Sequence, residues 1–476
     1  MLEIVNSPEF KSMFREYDIR GEVSATQLNE DSVFLITYAY AEYLNKRGIN
    51  DVVVGYDNRS CSPGFANAVI DALRRHGKNV KFIGLCVTPM VYFAQYALKC
   101  EGGVMITASH NPNGWSGFKF AKGYSKTLEP QDIKEVYSIV QSITEYKQEV
   151  LGSCENIDIR DTYINDIVSR IKMGPNKPRI VVDAGNGGAG LVAYELFHRL
   201  GCLTFQLNCD PDMEYPHYFP NPSNLQARNK LREMVTHPYI KADIGIGYDG
   251  DGDRIGVIDE NGKDIWSDTV VALLAKQLLE KKKGATVVYD VKCSKALEEV
   301  IANNGGNPVM YKTGHSYIKS KMHEIKAELA GERSGHVFMG GDDYYGFDDA
   351  LFVSAKLVEY LSNNTKTISQ MVAEFPQYVT SPEIKAHCSD LVKYDIVDKV
   401  TKDLQSQYDN VNTICGARVT FDYGWGLIRA SSNLPELVII FEADTEEHLL
   451  QIRKVLKNTL SKYSEVDSHW GNDIYE

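Results

Sequence analysis

The chain has 476 residues, 43% of them hydrophobic and 24% charged, with a formal net charge of −13. That length exceeds a single hydrophobic core and suits three or four domains, while the acidic balance disfavours nucleic acid or an anionic membrane, both of which need a basic footprint. Nine irregularly spaced cysteines with no Cys-x-x-Cys pair form neither a disulfide framework nor a zinc site, the start "MLEIVNSPEFK" is no signal peptide, and no apolar run approaches the ~18 residues of a membrane span, so a cytoplasmic protein is expected.

In chain order, "FREYDIRG" (14–21) first sets Tyr17 and Arg20 before a turn glycine. A recurring unit follows. "DVVVGYDNRSCSPGFANAVIDALRRHG" (51–77) reads as a buried strand ending at Asp57, a loop, an amphipathic helix and a terminating glycine. "PRIVVDAGNGGAGLVAYELFHRLG" (178–201) repeats it with Asp183, and "ATVVYDVKCSKALEEVIANNG" (285–305) repeats it with Asp290. An apolar strand follows each, which completes a βαβ unit with parallel pairing. The spacing predicts three tandem α/β domains.

Between the first two units lies "ITASHNP" (106–112). The apolar run before it reads as a strand and Pro112 cannot continue a ladder, so Ser109 sits on a loop at a strand end, where α/β proteins commonly keep their chemistry. By itself such a Ser-His pair is also an ordinary turn that hydrogen-bonds its own backbone. In the second unit, Gly185, Gly187 and Gly190 match G-x-G-x-x-G, with Asp210 near the distance of a ribose-binding acid. A dinucleotide site is one reading; a tight glycine turn in a repeated unit is the other.

"YDGDGDRIGV" (248–257) is the sharpest signal. In an extended loop Asp249, Asp251 and Asp253 point the same way, and three converging carboxylates call for a hard cation such as Mg²⁺. With Glu260 at its twelfth position the stretch nearly spells an EF-hand, but Arg254 stands where that turn needs glycine and the flanks read as strands. Further on, "KTGHSYIK" (312–319) carries His315, and "GERSGHVF" (331–338) carries Glu332, Ser334 and His336, donors and acceptors suited to sugar hydroxyls. The last hundred residues break the repeat: a helix around "SDLVKYDIVDKVTKDLQ", adjacent strands in "ARVTFDYGWGLIRASSNLPELVIIFEA" (417–443) and a helix in "TEEHLLQIRKVLKNTLSKY" predict a smaller α+β domain. Within it, "RASSN" joins Arg429 to Ser431, Ser432 and Asn433, a forked guanidinium beside hydroxyls that suits a phosphate. Boundaries fall near 155, 262 and 377, giving domains 1–155, 156–262, 263–377 and 378–476.

Together "TASHNP", "DGDGDR", "GERSGH" and "RASSNLP" resemble, in order, the phosphoserine, metal, sugar and phosphate loops of the α-D-phosphohexomutases. "YDIRG" and "GFDD" (346–349) resemble the bacterial phosphomannomutase/phosphoglucomutase branch. The resemblance implies three related α/β domains with mixed sheets and a C-terminal α+β domain around a central cleft. It implies that Ser109 carries a phosphoryl group to and from a hexose phosphate through a hexose 1,6-bisphosphate, which also serves as activator. Mg²⁺ would be held by Ser109, Asp249, Asp251 and Asp253, with Lys119 in "GFKF" as general acid/base and Arg20 near it. His110, His315 and His336 complete the catalytic candidates, imidazole titrating near neutrality. Tyr17, Arg254, Lys292, Glu332, Ser334, Arg429, Ser431, Ser432 and Asn433 are the substrate-binding candidates.

The expected protein is a cytoplasmic monomer or homodimer with a hexose phosphate substrate and no nucleic-acid or membrane partner. Three positions depart from the family pattern: Arg333 in the sugar loop, Ser432 where asparagine is usual, and Trp115 after "HNPNG". The rival readings are a phosphoglucosamine mutase, a dinucleotide-dependent oxidoreductase, and a catalytically silent sugar-phosphate-binding protein.

Overall fold

A computed structural model describes residues 5–146, 151–432 and 434–470. The three repeated units form as the sequence predicts. Asp51–Tyr56 pairs in parallel with Asn79–Leu85, Arg179–Asp183 with Leu203–Leu207, and Thr286–Asp290 with Asn307–Tyr311. The intervening helices are Ser62–Arg75 and Lys295–Asn303; in the second unit a 3₁₀ turn, Gly188–Leu191, precedes a short Ala193–Arg199 helix. Gly77, Gly201 and Gly305 follow these helices with φ of 71°, 77° and 80°, the left-handed conformation that ends a helix at little cost to glycine.

Each unit then continues in the same way. A third strand (Gly102–Ile106, Ile244–Tyr248 or Leu329–Gly331) joins the first in parallel, and a fourth (Trp115–Lys122, Ile255–Asp259 or Val337–Met339) returns antiparallel beside it. These pairings make the sheets mixed, with six, five and four strands. The third strands are buried along their length, as strands covered on both faces must be. The loop between third and fourth strand is the one that matters: it carries Ser109 in the first unit, Asp249–Asp253 in the second and Glu332–His336 in the third.

The C-terminal domain is an antiparallel sheet, with Ala417–Phe421, Gly424–Ala430 and Glu436–Ala443 at its centre and the Lys393–Gln405 and Glu446–Leu460 helices packed on it. One apolar core runs through the first three units, from Val53 and Phe93 to Leu196, Leu273 and Leu357, each side chain contributing roughly 1.5–3 kcal/mol. A separate core sits under the fourth sheet, and Val291, Trp425, Leu427 and Ile440 join that domain to the third. Among the described residues no helix is long and apolar enough to cross a membrane.

Candidate active site

Ser109 is buried and has a φ of 51°, a left-handed conformation unusual for a residue with a side chain. The surrounding loop is held in place. The Ser109 N–H donates to Thr107 Oγ1 at 2.8 Å, and Arg59 donates to the carbonyls of Ser109, Asn111, Pro112 and Trp115 at 3.0, 2.6, 2.9 and 3.2 Å. Arg59 is itself aimed by Asp57 at 3.0 Å, so the first repeated aspartate is structural. Ser109 Oγ then lies 3.2 Å from His110 Nδ1 and donates to Asp249 Oδ2 at 2.9 Å.

The three aspartates do converge, but not along an extended loop. A turn with Gly252 at φ 70° curls them round, and Asp249 Oδ1 accepts the N–H groups of Asp253 and Arg254, both at 3.1 Å. All three are fully buried, with carboxylate atoms within 4.8 Å of one another. Thr88 and Lys119 donate to Asp251 Oδ2 at 2.5 and 2.7 Å, and Lys119 also bonds Asp253. Burial and the two neighbouring carboxylates push Asp249 well above the usual carboxylate range. Asp251 is held below it: burial opposes ionisation, but the Lys119 ammonium, the Thr88 hydroxyl and Arg254 together outweigh burial. Asp251 Oδ1 and Asp253 Oδ1 are buried without a hydrogen-bond partner. Three carboxylates around one ammonium, with two orphaned oxygens, fit a hard divalent cation.

Beside this loop lies the third hairpin. Ile255 N–H donates to Gly335 O at 3.1 Å, joining the two loops. Glu332 accepts from Gly314 N–H and Ser334 Oγ, both at 2.8 Å, and burial raises its carboxyl. Arg254 Nε donates to His336 Nε2 at 2.9 Å. His315 lies with its ring centroid 5.0 Å from Tyr17 and 5.5 Å from His336. Burial first, then neighbouring cations, holds His110 and His315 well below the usual histidine range, so both are neutral. Arg333, one of the departures, turns sideways to Asp268 at 2.8 Å and stacks over Trp266.

A cleft of about 510 Å³ gathers Tyr17, Arg20, Ser109, His110 and Lys119 with Arg254, Lys292, His315, Glu332, Ser334 and His336, and with Arg429, Ser431 and Ser432 from the C-terminal domain. The three aspartates are not on its wall; they lie buried behind Ser109 and Lys119. Arg20 donates to Asn111 Oδ1 at 2.8 Å, Lys292 pairs with Glu383 at 3.0 Å, and Arg429 donates to Ser432 Oγ at 3.2 Å. Asn433 lies outside the described residues. Sequence reasoning gave no role to Arg59, Thr88 or Asp348, although Arg59 stands two residues past the repeated Asp57 and Asp348 lies within "GFDD".

Sequence profiles for the three α/β/α domains of phosphoglucomutase/phosphomannomutase match residues 11–147, 161–262 and 266–378, and the profile of their C-terminal domain matches 383–458. The chain belongs to the phosphoglucomutase/phosphomannomutase family. It falls in the bacterial branch of these phosphohexomutases, enzymes that transfer phosphate intramolecularly. It is 38% identical over 454 residues to the phosphomannomutase/phosphoglucomutase of Pseudomonas aeruginosa, covering 94% of this chain and 95% of the relative. A phosphoglucomutase of Neisseria meningitidis is 36% identical over 451 residues, covering 94% and 96%. A family protein from Burkholderia thailandensis has a crystal structure that superposes with a TM-score of 0.87 at 34% identity, covering 96% and 98%.

In this phosphohexomutase the G-x-G-x-x-G loop serves packing. Gly188 N–H donates to Gly250 O of the aspartate loop at 3.1 Å, and a Cβ on Gly190 would stand 1.8 Å from Cys209 O. The loop is filled by its own protein, and the dinucleotide reading falls.

Proposed function

We propose that this phosphohexomutase interconverts the 6- and 1-phosphates of mannose and glucose through phospho-Ser109 and a hexose 1,6-bisphosphate, which also acts as its activator. The observation that carries the proposal is Ser109 Oγ 2.9 Å from Asp249, on a clamped loop at the floor of a cation-lined cleft. Ser109, Asp249, Asp251 and Asp253 would hold Mg²⁺, which when bound neutralises charge on the phosphoryl group and the serine oxygen.

In the first transfer the Ser109 Oγ–P bond breaks and a bond forms from phosphorus to a sugar hydroxyl oxygen. That hydroxyl's proton passes to His315, which is neutral, or to His336, and Lys119 gives its proton to the departing Oγ. Lys119 is suited to begin as the acid: burial opposes its charge, but Asp251 and Asp253 overcome burial and raise it. The bisphosphate then turns over, and Ser109 Oγ attacks its other phosphate. Lys119 recovers the serine proton while the histidine reprotonates the sugar oxygen. His110 orients Ser109 Oγ. Glu332 and Ser334 take ring hydroxyls, Tyr17 forms a wall, and Arg20, Arg254 and Lys292 attract phosphate. Arg429, with Ser431, Ser432 and Asn433, clamps the phosphate that is not reacting, which a forked guanidinium does better than an ammonium.

We further propose a cytoplasmic monomer or homodimer, free of nucleic acid, divided near 155, 262 and 377. The test is a coupled assay on mannose 1-phosphate and glucose 1-phosphate with the bisphosphate present, alongside intact mass. Active wild type should carry one extra phosphate on the "TASHNP" peptide, and Ser109→Ala should lose both that mass and nearly all turnover. EDTA should inactivate and Mg²⁺ restore. A fully active Ser109→Ala enzyme would overturn the mechanism.

A further inference from the structure

We infer that Arg333, the charged departure in the sugar loop, is a positioning residue: it ties that loop to the loop carrying Lys292 and takes no part in the choice of sugar. Its two neighbours, Glu332 and Ser334, bond each other at 2.8 Å on the cleft wall. The Arg333 guanidinium is engaged elsewhere. Its Nη1 donates to Asp268 Oδ2 at 2.8 Å, and its central carbon stands 5.3 Å from the middle of the Trp266 ring.

The tie reaches the Lys292 loop on both sides of the lysine. Asp268 Oδ2 also accepts the N–H of Ser294 at 2.9 Å, two residues past Lys292. Asp290 Oδ1, two residues before it, accepts the backbone N–H of Arg333 at 3.3 Å, while its Oδ2 accepts Thr313 Oγ1 at 2.8 Å. Lys292 itself reaches across to Glu383 of the C-terminal domain at 3.0 Å. The side chains of Arg333 and Asp268 are only 10% and 2% exposed, so water competes little for their contact. Removing the guanidinium leaves a buried carboxylate held by the N–H groups of Ser294 and Thr269. A loop released from Asp268 has to be ordered each time substrate binds. That cost falls on binding, and it is the same for sugars that differ at one ring carbon, because the guanidinium is bonded to Asp268 and not to the sugar.

The kinetic arm of this inference rests on the proposed roles of Glu332, Ser334 and Lys292; the tie itself does not. Arg333→Met tests both, since methionine keeps an unbranched stem beside Trp266 and loses the charge. Amide exchange followed by mass spectrometry in the ligand-free protein should quicken about tenfold or more in the peptides spanning 291–295 and 331–338. KM should rise about tenfold or more for glucose 1-phosphate and mannose 1-phosphate alike, with their ratio and kcat each within about threefold of wild type. Arg333→Lys, which keeps the charge, should recover part of both changes. Asp268→Asn should reproduce them, and adding Arg333→Met to it should change little more, as holds for two partners in one contact.

Wild-type exchange in both peptides of a folded Arg333→Met protein overturns the inference; if that variant fails to fold, wild-type exchange in Asp268→Asn does so. An unchanged KM for both sugars overturns it too, as does a mannose-to-glucose ratio shifted by more than about threefold, since Arg333 would then read the sugar. If the wild type turns over neither sugar phosphate, the proposed function fails, and the exchange rates still decide the tie.

Discussion

Ser109 and Arg59 show how a reactive side chain is kept where it is needed. A non-glycine residue at φ 51° carries a backbone cost of about 1–3 kcal/mol, and the four carbonyl bonds from Arg59 offset it. A lysine reaching the same place has one ammonium in place of a planar fork and cannot serve four carbonyls spread over seven residues. Arg59→Lys is therefore expected to lower kcat at least tenfold, if about 1.5–3 kcal/mol of charge-assisted bonding to the loop is lost, with little change in KM. Steady-state kinetics check this. A variant with wild-type kcat would show that the loop keeps its shape without the clamp.

At the scale of elements, one device is used three times: a parallel third strand, a loop, and an antiparallel return. The loop is fixed at both ends by strands of one sheet, which gives its side chains the rigidity that phosphoryl transfer requires. The last of these hairpins runs into the Ala350–Ser362 helix, capped by Asp349, which accepts from Phe352 N–H at 2.9 Å, Tyr163 Oη at 2.8 Å and Tyr344 Oη at 2.6 Å. Burial dominates there and pushes the Asp349 carboxyl up to about 6 despite those donors. A folded value above the unfolded one means that this group's contribution is full below about pH 4 and is lost as pH rises through about 6. Asp349→Asn has no such proton to lose. Its stability relative to wild type should improve between pH 5 and pH 7.5 by about 1.4 kcal/mol, roughly half of what a shift of about two pH units gives over the whole titration. Calorimetric melting of both proteins at the two pH values measures this; a constant difference would mean that the cap ionises like an ordinary carboxylate.

For the whole molecule, two of the contacts that fasten the C-terminal domain differ in kind. At its root, Glu442 accepts from Lys295 N–H at 2.9 Å and Trp425 Nε1 at 2.8 Å, and Arg418 stacks on Trp425 at 3.9 Å. At the mouth of the cleft, Glu16 of the first domain accepts from Tyr317 Oη of the third at 3.2 Å and Tyr394 Oη of the fourth at 2.9 Å. The second fastening joins three domains through one partly exposed carboxylate, so it is the easier of the two to break. Glu16→Ala should loosen closure by about 1 kcal/mol and let roughly fivefold more bisphosphate escape per turnover. Free bisphosphate released per turnover is the measurement, and the variant should depend more strongly on added bisphosphate. Unchanged release would show that Glu16 does not hold the cleft closed.

The amino-acid sequence by itself determined the repeated strand–loop–helix units, their glycine stops, the change of architecture near residue 378, and the loops that hold Ser109, the three aspartates, Glu332 and Arg429. These rest on short-range physics: hydrophobic period, turn chemistry, and carboxylates too close in sequence to be left without a cation. Only the tertiary structure decided which of these residues meet. Ser109 and Asp249 are 140 residues apart, Lys119 and Asp251 are 132 apart, and Arg254 and His336 are 82 apart. Thr88 stayed hidden for the same reason, because a buried threonine has no local pattern that separates it from a surface one, and Arg59 and Asp348 stood in stretches that the sequence made visible without showing what they touch. The G-x-G-x-x-G stretch shows the converse. Its spacing is local and legible, but whether a loop cradles a phosphate or packs against Gly250 and Cys209 depends on what the rest of the chain puts beside it.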